Sequence, residues 1–564
     1  MEFRVPAFIR LLFTASRLTR NYMKISIIVT VYMLIVIGLY YVFRPDKAHT
    51  SSSFFTVVLD SGSTGTRVDV YEWSRNVRNS HDQPIMLRSL PNNSTRSPLR
   101  HDACQYHCMQ TEPGLDKFVH NFSGISTALE PLLLWAELQI PPQRHKETPV
   151  FLLATAGLRR LPSEDADWII ENAMDVLMRH QFTYRRSWVR VLSGKEEAYY
   201  GWVALNCKLG RLGNSLEVPT LGVLDLGGSS LQVVIETGGS RDSQHFVQSK
   251  IGSAAHQLLA YSLPAFGLNA AFDRSIVMLR KDQLAEDSVN GLVQLRHPCL
   301  SSGFTQNYTC YGCWLNDINL QNVSVEQSKQ SLQFYLIGDP DWERCKLLAR
   351  AATVHPNNSD WLQLSADLDC NSQSSLPNST DLLNLTARRP AIHFHALSGF
   401  FAVYNMLKIN PEDSTAEFML RGQQLCSRSW EDIKRNYRTR NYMEQSCFRV
   451  PYLLSLLQDG FCLNDSEITF GPGDISWTLG AALVEGEYLW STKAESPTGS
   501  FILKKMKVVP CLLFLFALSL WCVAIIYCWK IKRSTALSTP ISVRRAPAIG
   551  ASFPSSLHPK RQLN

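Results

Sequence analysis

Two uncharged apolar runs stand near the ends of the chain, 25–43 and 508–529, and no apolar run of comparable length lies between them. Each is close to the ~20 residues an α-helix needs to cross a bilayer, so both are predicted to be transmembrane helices rather than buried core helices. From 54 to 490 the pattern changes. Short β-branched runs, expected as strands at 54–59, 67–73, 150–154, 189–192, 222–224 and 231–236, alternate with helical periodicity near 124–138, 165–178 and 196–205. That alternation predicts an α/β fold. This middle holds roughly 435 residues, more than one hydrophobic core organises. A linker is expected at 491–507.

Composition adds that the chain folds. Of 564 residues, 45% are hydrophobic and 19% charged, which excludes a disordered protein. The formal charge of +7 belongs to the ends: 1–24 carries +4 and 530–564 carries +7, leaving the rest at −4. A nucleic-acid-binding reading therefore loses its support. Because short flanks rich in Lys and Arg stay cytoplasmic, 1–24 and the 530–564 tail are expected in the cytoplasm. The middle then faces the secretory lumen or the cell exterior. The run at 25–43 lacks a small-x-small cleavage pattern and reads as an uncleaved signal anchor, and the long tail after the second run excludes a lipid-anchor signal.

Glycosylation sequons agree with that orientation. They begin at Asn92, Asn93, Asn121, Asn307, Asn322, Asn357, Asn378, Asn384 and Asn464, all between the two runs. Eleven of the 14 cysteines lie there too, an odd number that leaves at least one thiol unpaired. Cys299, Cys310, Cys313, Cys345 and Cys370 crowd into one sequon-bearing stretch, which predicts a disulfide-stapled surface region. His101, Cys104, His107 and Cys108 have zinc-ligand chemistry, but in an oxidising compartment a bridge or free thiol is the expected fate.

The chain contains one internal echo. Val57-Val58-Leu59-Asp60-Ser61-Gly62-Ser63-Thr64-Gly65-Thr66-Arg67-Val68 returns 165 residues later as Gly222-Val223-Leu224-Asp225-Leu226-Gly227-Gly228-Ser229-Ser230-Leu231-Gln232-Val233. In each, a strand ends in Asp, turns through small residues and comes back as a second strand. Glycines let backbone approach a ligand, hydroxyls and N–H groups make an anion-holding concavity, and a strand-end Asp can hold a hydrated divalent cation. One such hairpin is usually only a tight turn. Two facing each other would grip successive phosphates with a metal between them. Neither a Gly-x4-Gly-Lys-Ser/Thr loop nor a Rossmann fingerprint is present.

Two more segments lie between the hairpins. Phe151–Arg160 is an apolar strand running into a small-residue turn, which reads either as an anion contact through Thr155 or as a plain strand-to-helix connection. Ser193 to Trp202 opens a helix with Glu196 and Glu197 in its first turn. On the helix pattern alone both glutamates read as dipole-friendly surface residues.

Taken together, these segments resemble the apyrase conserved regions of the nucleoside triphosphate diphosphohydrolase (GDA1/CD39) family, in wording nearest the plant apyrases. Asp60–Arg67, Ala154–Arg159, Ser193–Trp202 and Leu224–Gln232 are similar to the first four regions, in order and spacing. Phe394–Phe401 is a looser fifth, and Ser476–Gly480 matches a motif near the end of the family's catalytic domain. The resemblance implies two ribonuclease-H-like lobes of the actin/Hsp70/hexokinase type, 54–193 plus 465–490 and 194–464. It implies Asp60 and Asp225 holding Ca²⁺ or Mg²⁺ through water, and Ser63, Thr64, Gly65, Thr66, Thr155, Gly227, Gly228 and Ser229 around the phosphates. Glu197 would be the catalytic base acting on a water held by Ser230 and Gln232. Phe400 or Phe401 would stack on the nucleotide base, and Cys426 would pair with Cys447, as Cys299 would with Cys345.

Departures from the family pattern are small. Ala198 stands where Gly is usual, Thr64 where Ser is, and Ser229 and Leu231 where Ala and Thr are. The leading expectation is a two-pass membrane enzyme hydrolysing nucleoside tri- or diphosphates to the monophosphate. A nucleotide-binding scaffold without turnover is the alternative, and a cytosolic kinase or chaperone of the same fold is disfavoured by the sequons and cysteines.

Overall fold

A computed structural model of the chain describes positions 28, 31–33, 521 and 525, and 53–486 apart from 75–84, 92–108, 213–217, 238–244, 252–253, 265, 283–287, 290–291, 312, 314–331, 355–391, 411–412 and 437–442. Among the described residues no helix is long and apolar enough to cross a membrane. Both apolar runs, 25–43 and 508–529, lie outside the described residues except at six positions, as do Cys370 and the His101–Cys108 cluster. All elements below belong to one compact unit.

The first sheet begins with β1 (Phe54–Ser61) and β2 (Thr66–Ser74), followed by β3 (Ile85–Leu90), β4 (Gln110–Thr111), helix α1 (Phe122–Gln139), β5 (Val150–Ala154), α2 (Ser163–Leu177) and β6 (Val189–Val191). Its order is β3-β2-β1-β5-β6, with β4 beside β2. β1 is antiparallel to β2 and parallel to β5. Then comes α3 (Gly194–Lys208), and the second sheet starts with β7 (Gly222–Leu226) and β8 (Ser230–Glu236), continuing through β9 (Phe246–Ile251), β10 (Ala254–Pro264) and α4 (Leu268–Asp282). A four-stranded excursion follows: β11 (Ser288–Val289), β12 (Leu292–His297), β13 (Thr305–Cys310) and β14 (Leu332–Gly338), ending in α5 (Trp342–Val354). The chain returns through β15 (Phe394–Ser398), α6 (Gly399–Met406), α7 (Thr415–Cys426), α8 (Ser446–Ser455), β16 (Ile468–Phe470) and α9 (Trp477–Glu485).

The second sheet reads β16-β15-β7-β8-β10-β9. Around its hairpin it repeats the first. β7 is antiparallel to β8 and parallel to β15, as β1 is antiparallel to β2 and parallel to β5. Residues 468–470, which the sequence reading put with the first half, pair with β15 instead, and only α9 crosses back to pack on α3 and β1.

Strand parity sorts the core. Alternate side chains point to opposite faces, so Val57 and Leu59 join the cluster under α1 and α2, whereas Val58 faces inward with Phe151 and Leu153. In the second sheet Leu224, Leu226, Leu231 and Val233 face the outer cluster, and Val223 and Val234 face inward. The inward faces of both sheets meet the same layer, made of α3 and α9. That layer is tight because Gly480 sits on the Tyr200 backbone, where a Cβ would not fit.

Cys299–Cys345, Cys310–Cys313 and Cys426–Cys447 are bonded, with Cα separations of 4.9, 5.4 and 5.5 Å. Cys462 is disulfide-bonded as well, and Cys207 is free. The bridges differ from the expected surface staple in one respect. Cys299, Cys310, Cys313 and Cys345 are all buried in the core that α4, α5 and the four-stranded sheet share.

Candidate active site

The same parity that sorts the core gathers the polar residues. Asp60 lies two residues from Val58, Asp225 two from Val223, and Ser230 and Gln232 run in step with Val234, so all four side chains are set on inward faces. The helix between the sheets supplies the fifth group. Ser193 caps α3 with a capping box: its N–H donates to Glu196 Oε2 at 2.8 Å, and Glu196 N–H donates to Ser193 Oγ at 3.2 Å. The next residue is turned ~100° around the helix. Glu197 is therefore buried at 7% exposure, and the surface reading, which holds for Glu196, fails for Glu197. One turn on, Gly201 faces Asp225, whose Oδ2 lies 3.7 Å from where a Cβ would stand, ordinary contact distance.

The two hairpin turns close in the same way. Gly62 N–H donates to Gly65 C=O at 3.0 Å, and Gly227 N–H donates to Ser230 C=O at 2.9 Å. The tips are left as Ser63-Thr64 and Gly228-Ser229, and they face each other. A Cβ on Gly228 would stand 3.0 Å from Ser63 Oγ and 3.0 Å from Thr64 Cγ2. The carbonyls of Gly227 and Gly228 accept from Leu268 and Asn269 N–H at the start of α4, which fixes the second turn on that helix.

Not every expected contact is placed to serve. Thr66 is fully buried and pairs with Ser61, so its hydroxyl points to the face opposite Asp60. Gly227 spends its N–H inside the turn, and Gly65 approaches Thr111 and Gln110 too closely for any side chain. Thr155 donates both its N–H (3.0 Å) and its hydroxyl (3.4 Å) to Ser61 C=O, tying β5 to the first hairpin. Phe400 is fully buried in the core and has no face left for a base. Phe401 lays its ring against Gly471 and Gly473.

Residues without an assigned role, Arg159, Arg67, Ser262 and Ser398, join Ser230 and Gln232 in completing the site. Arg159 Nη2 donates to Glu197 Oε2 at 2.7 Å and to Ser230 Oγ at 3.5 Å, and its Nη1 donates to Leu192 C=O at 3.0 Å. Gln232 Nε2 donates to Ser230 Oγ at 2.7 Å and Ser262 Oγ at 3.3 Å. Arg67, opposite Asp60 in the hairpin register, donates to Asp60 Oδ2 at 2.9 Å, Gln110 Oε1 at 3.1 Å and Thr64 Oγ1 at 3.3 Å. The register of so short a hairpin signals that pairing in advance. Ser398, at φ 52°, hydrogen-bonds Asp225; it lies in the looser fifth region, where the sequence reading assigns it no role.

Burial, and for Asp225 and Glu197 the neighbouring carboxylates, set the charges. Burial raises the Asp60 carboxyl above its ordinary range, with Arg67 acting against it. Asp225 is raised by burial, opposed by its Ser398 hydrogen bond and reinforced by Asp60. Burial pushes Glu197 up to about 7, with Arg159 lowering it and Asp60 and Asp225 raising it.

Residues 46–496 match the GDA1/CD39 (nucleoside phosphatase) family. The chain belongs to that family. It is 40% identical over 449 residues to probable apyrase 7 of Arabidopsis thaliana, an alignment covering 78% of this chain and 58% of that relative. With probable apyrase 5 of Arabidopsis thaliana it shares 25% identity over 508 residues, covering 86% and 93%. The chain thus spans less than two thirds of the first relative and most of the second. Its fold is similar to that of the nucleoside triphosphate hydrolases from Neospora caninum, with a TM-score of 0.51 at 15% identity, covering 82% of this chain and 98% of that one.

A divalent cation fits this member of the GDA1/CD39 family. Asp60 Oδ1 is buried with no hydrogen-bond partner, Asp60 raises the proton affinity of Asp225, and both raise that of Glu197. Among the described residues no three His, Cys, Asp or Glu side chains are grouped to ligate one ion. Asp60 and Asp225 are the residues that would hold such a cation, with water and substrate completing its coordination.

Proposed function

We propose that this chain is an apyrase that removes the terminal phosphate from nucleoside tri- and diphosphates, with Glu197 as the general base. The observation that carries this reading is Glu197 itself: a buried carboxylate with a proton affinity near neutrality, set beside two facing phosphate-type turns. The turn tips Ser63-Thr64 and Gly228-Ser229 would receive the phosphate oxygens through hydroxyls and N–H groups. A bound Ca²⁺ or Mg²⁺ would neutralise phosphate charge as a Lewis acid.

The hydrogen-bond polarity says how water would be held. Ser230 Oγ already accepts from Arg159 and Gln232, so its own O–H is the part left to donate. Gln232 spends Nε2 on Ser230 and Ser262, so Oε1 is its accepting end. A water donating to Glu197 and Gln232 Oε1, and accepting from Ser230, presents a lone pair to the terminal phosphorus. As the new P–O bond forms, Glu197 takes the proton and the bond to the leaving nucleotide oxygen breaks. Phosphate and the shortened nucleotide are released, without a covalent enzyme intermediate.

We place this domain on the lumenal or outer side of a membrane, held by 25–43 and 508–529, with both ends cytoplasmic. The sequons support this: Asn121, Asn307 and Asn464 are exposed, and Asn121 caps α1 through its oxygen, leaving its nitrogen for a glycan. The test is phosphate release by the glycosylated full chain from a panel of nucleoside di- and triphosphates. Turnover with Mg²⁺ or Ca²⁺ that is lost in excess chelator is expected. Nucleotide binding without phosphate release under every ion would reject the assignment in favour of a scaffold.

A further inference from the structure

One contact reaches from the phosphate turn of the first sheet to the four-stranded excursion of the second half, and the activity above does not use it. Asp116 lies in a short turn, Leu115–Lys117, directly behind the Ser63 tip. A Cβ on Gly157 would stand 3.0 Å from Ser63 Cα and 3.4 Å from Asp116 Oδ1. A Cβ on Gly114 would stand 3.1 Å from the Ser63 carbonyl carbon and 2.7 Å from the same oxygen. Asp116 Oδ1 is buried and has no hydrogen-bond partner. Its other oxygen holds Lys117 Nζ at 2.9 Å.

That ammonium also sits 3.4 Å above the centre of the Tyr311 ring. Tyr311 comes from the far side. It follows β13 and lies in the loop closed by Cys310–Cys313, both of whose sulfurs contact Asp273 C=O in α4. α4 is the helix whose first N–H groups hold the Gly228 turn. Each end of the Lys117–Tyr311 contact is thus built onto the element that positions one phosphate turn. Lys117 is a quarter exposed and Tyr311 about half, so the contact lies at the surface rather than in the core.

The geometry points to Lys117 and Tyr311 as a cation–π latch that holds the two phosphate turns at catalytic spacing, a positioning pair for the substrate site. It rests on the reading that nucleotide phosphates bind between those turns. A cation over an aromatic face is favourable without a fixed directional bond, so it can open and close as substrate enters and product leaves. Asp116 aims the amine, and its bare oxygen is set to take a hydrogen bond from the Ser63 turn as that turn adjusts to phosphate.

A double-mutant cycle on the full chain tests the latch, with phosphate release and equilibrium nucleotide binding both measured. Lys117→Met and Tyr311→Ala are each expected to weaken nucleotide binding and raise KM by about 2- to 10-fold, with kcat changed less and the melting temperature unmoved. Lys117→Arg and Tyr311→Phe keep a cation and a ring, and should behave as the parent. The double variant should be no worse than either single one. Additive losses, a Tyr311→Phe as damaging as Tyr311→Ala, or unchanged binding in Lys117→Met would each overturn the latch. Because binding is read separately, a parent without turnover would count against the hydrolase assignment and leave the latch to stand or fall on its own result.

Discussion

At the scale of the residue, Glu196 and Glu197 show how much one helical step decides. The first closes a capping box at the surface; the second is buried among Arg159, Asp60 and Asp225. A base held up to about 7 must lose its proton before it can accept one from water, so kcat/KM should rise as pH increases through about 7. Bound cation pulls that midpoint lower by favouring the charged form. Arg159 is the largest influence holding the proton affinity down, so Arg159→Met should move the acid limb to higher pH, with Arg159→Lys intermediate. A profile that stays in place in Arg159→Met would mean that the limb belongs to another group. Asp60, Asp225 and Glu197 were all legible in the sequence as motif positions. Their convergence needed parity and register, and Ser398, though inside the fifth region, needed coordinates to show its contact with Asp225, because its positive-φ backbone leaves no compositional trace.

At the scale of the element, the two hairpins were the most legible part of the chain, since Asp-x-Gly and small-residue turns leave few ways to connect two strands. What the turns do with each residue was less so. Thr66 and Gly227 have the right chemistry, yet strand alternation and the closing hydrogen bond point them away from a ligand. Of the aromatic pair at the start of α6, Phe400 is closed off for a related reason: a helix that follows an interior strand of the sheet buries one face, and Phe400 is on it. Another buried group makes a stability prediction. His297 is fully buried at the end of β12, its Nδ1 accepting from Cys299 N–H at 3.1 Å, which leaves Nε2–H to donate to Ser275 Oγ at 3.0 Å. Burial lowers its proton affinity from 6.5 to about 3. As pH falls below about 6.5 the unfolded chain takes up a proton that the fold refuses, so this contribution to stability is lost progressively toward about 3. Melting temperature followed from about pH 7 to about pH 4 should fall, and His297→Gln should flatten the fall. An unchanged slope in that variant would assign the acid sensitivity elsewhere.

At the scale of the whole molecule, the chain is a repeated hairpin-and-parallel-strand plan folded twice around a shared helical layer. The plan was visible as an echo in the sequence because each copy has to make the same buried strand, the same strand-end Asp and the same tight turn. The layer was not, because α9 is separated from α3 by some 270 residues and nothing local tells a helix which of two sheets it will join. The shared layer is what makes one site from two halves: α3 carries Glu197 into the space that the strand-end carboxylates of both sheets already face. The central claim is that this glutamate deprotonates the attacking water. Its most direct test is the Glu197→Gln variant, assayed for phosphate release from a nucleoside triphosphate with Mg²⁺ and for nucleotide binding in parallel. Release is expected to drop by about 10²- to 10⁴-fold with binding retained; release at the parental rate would contradict the account.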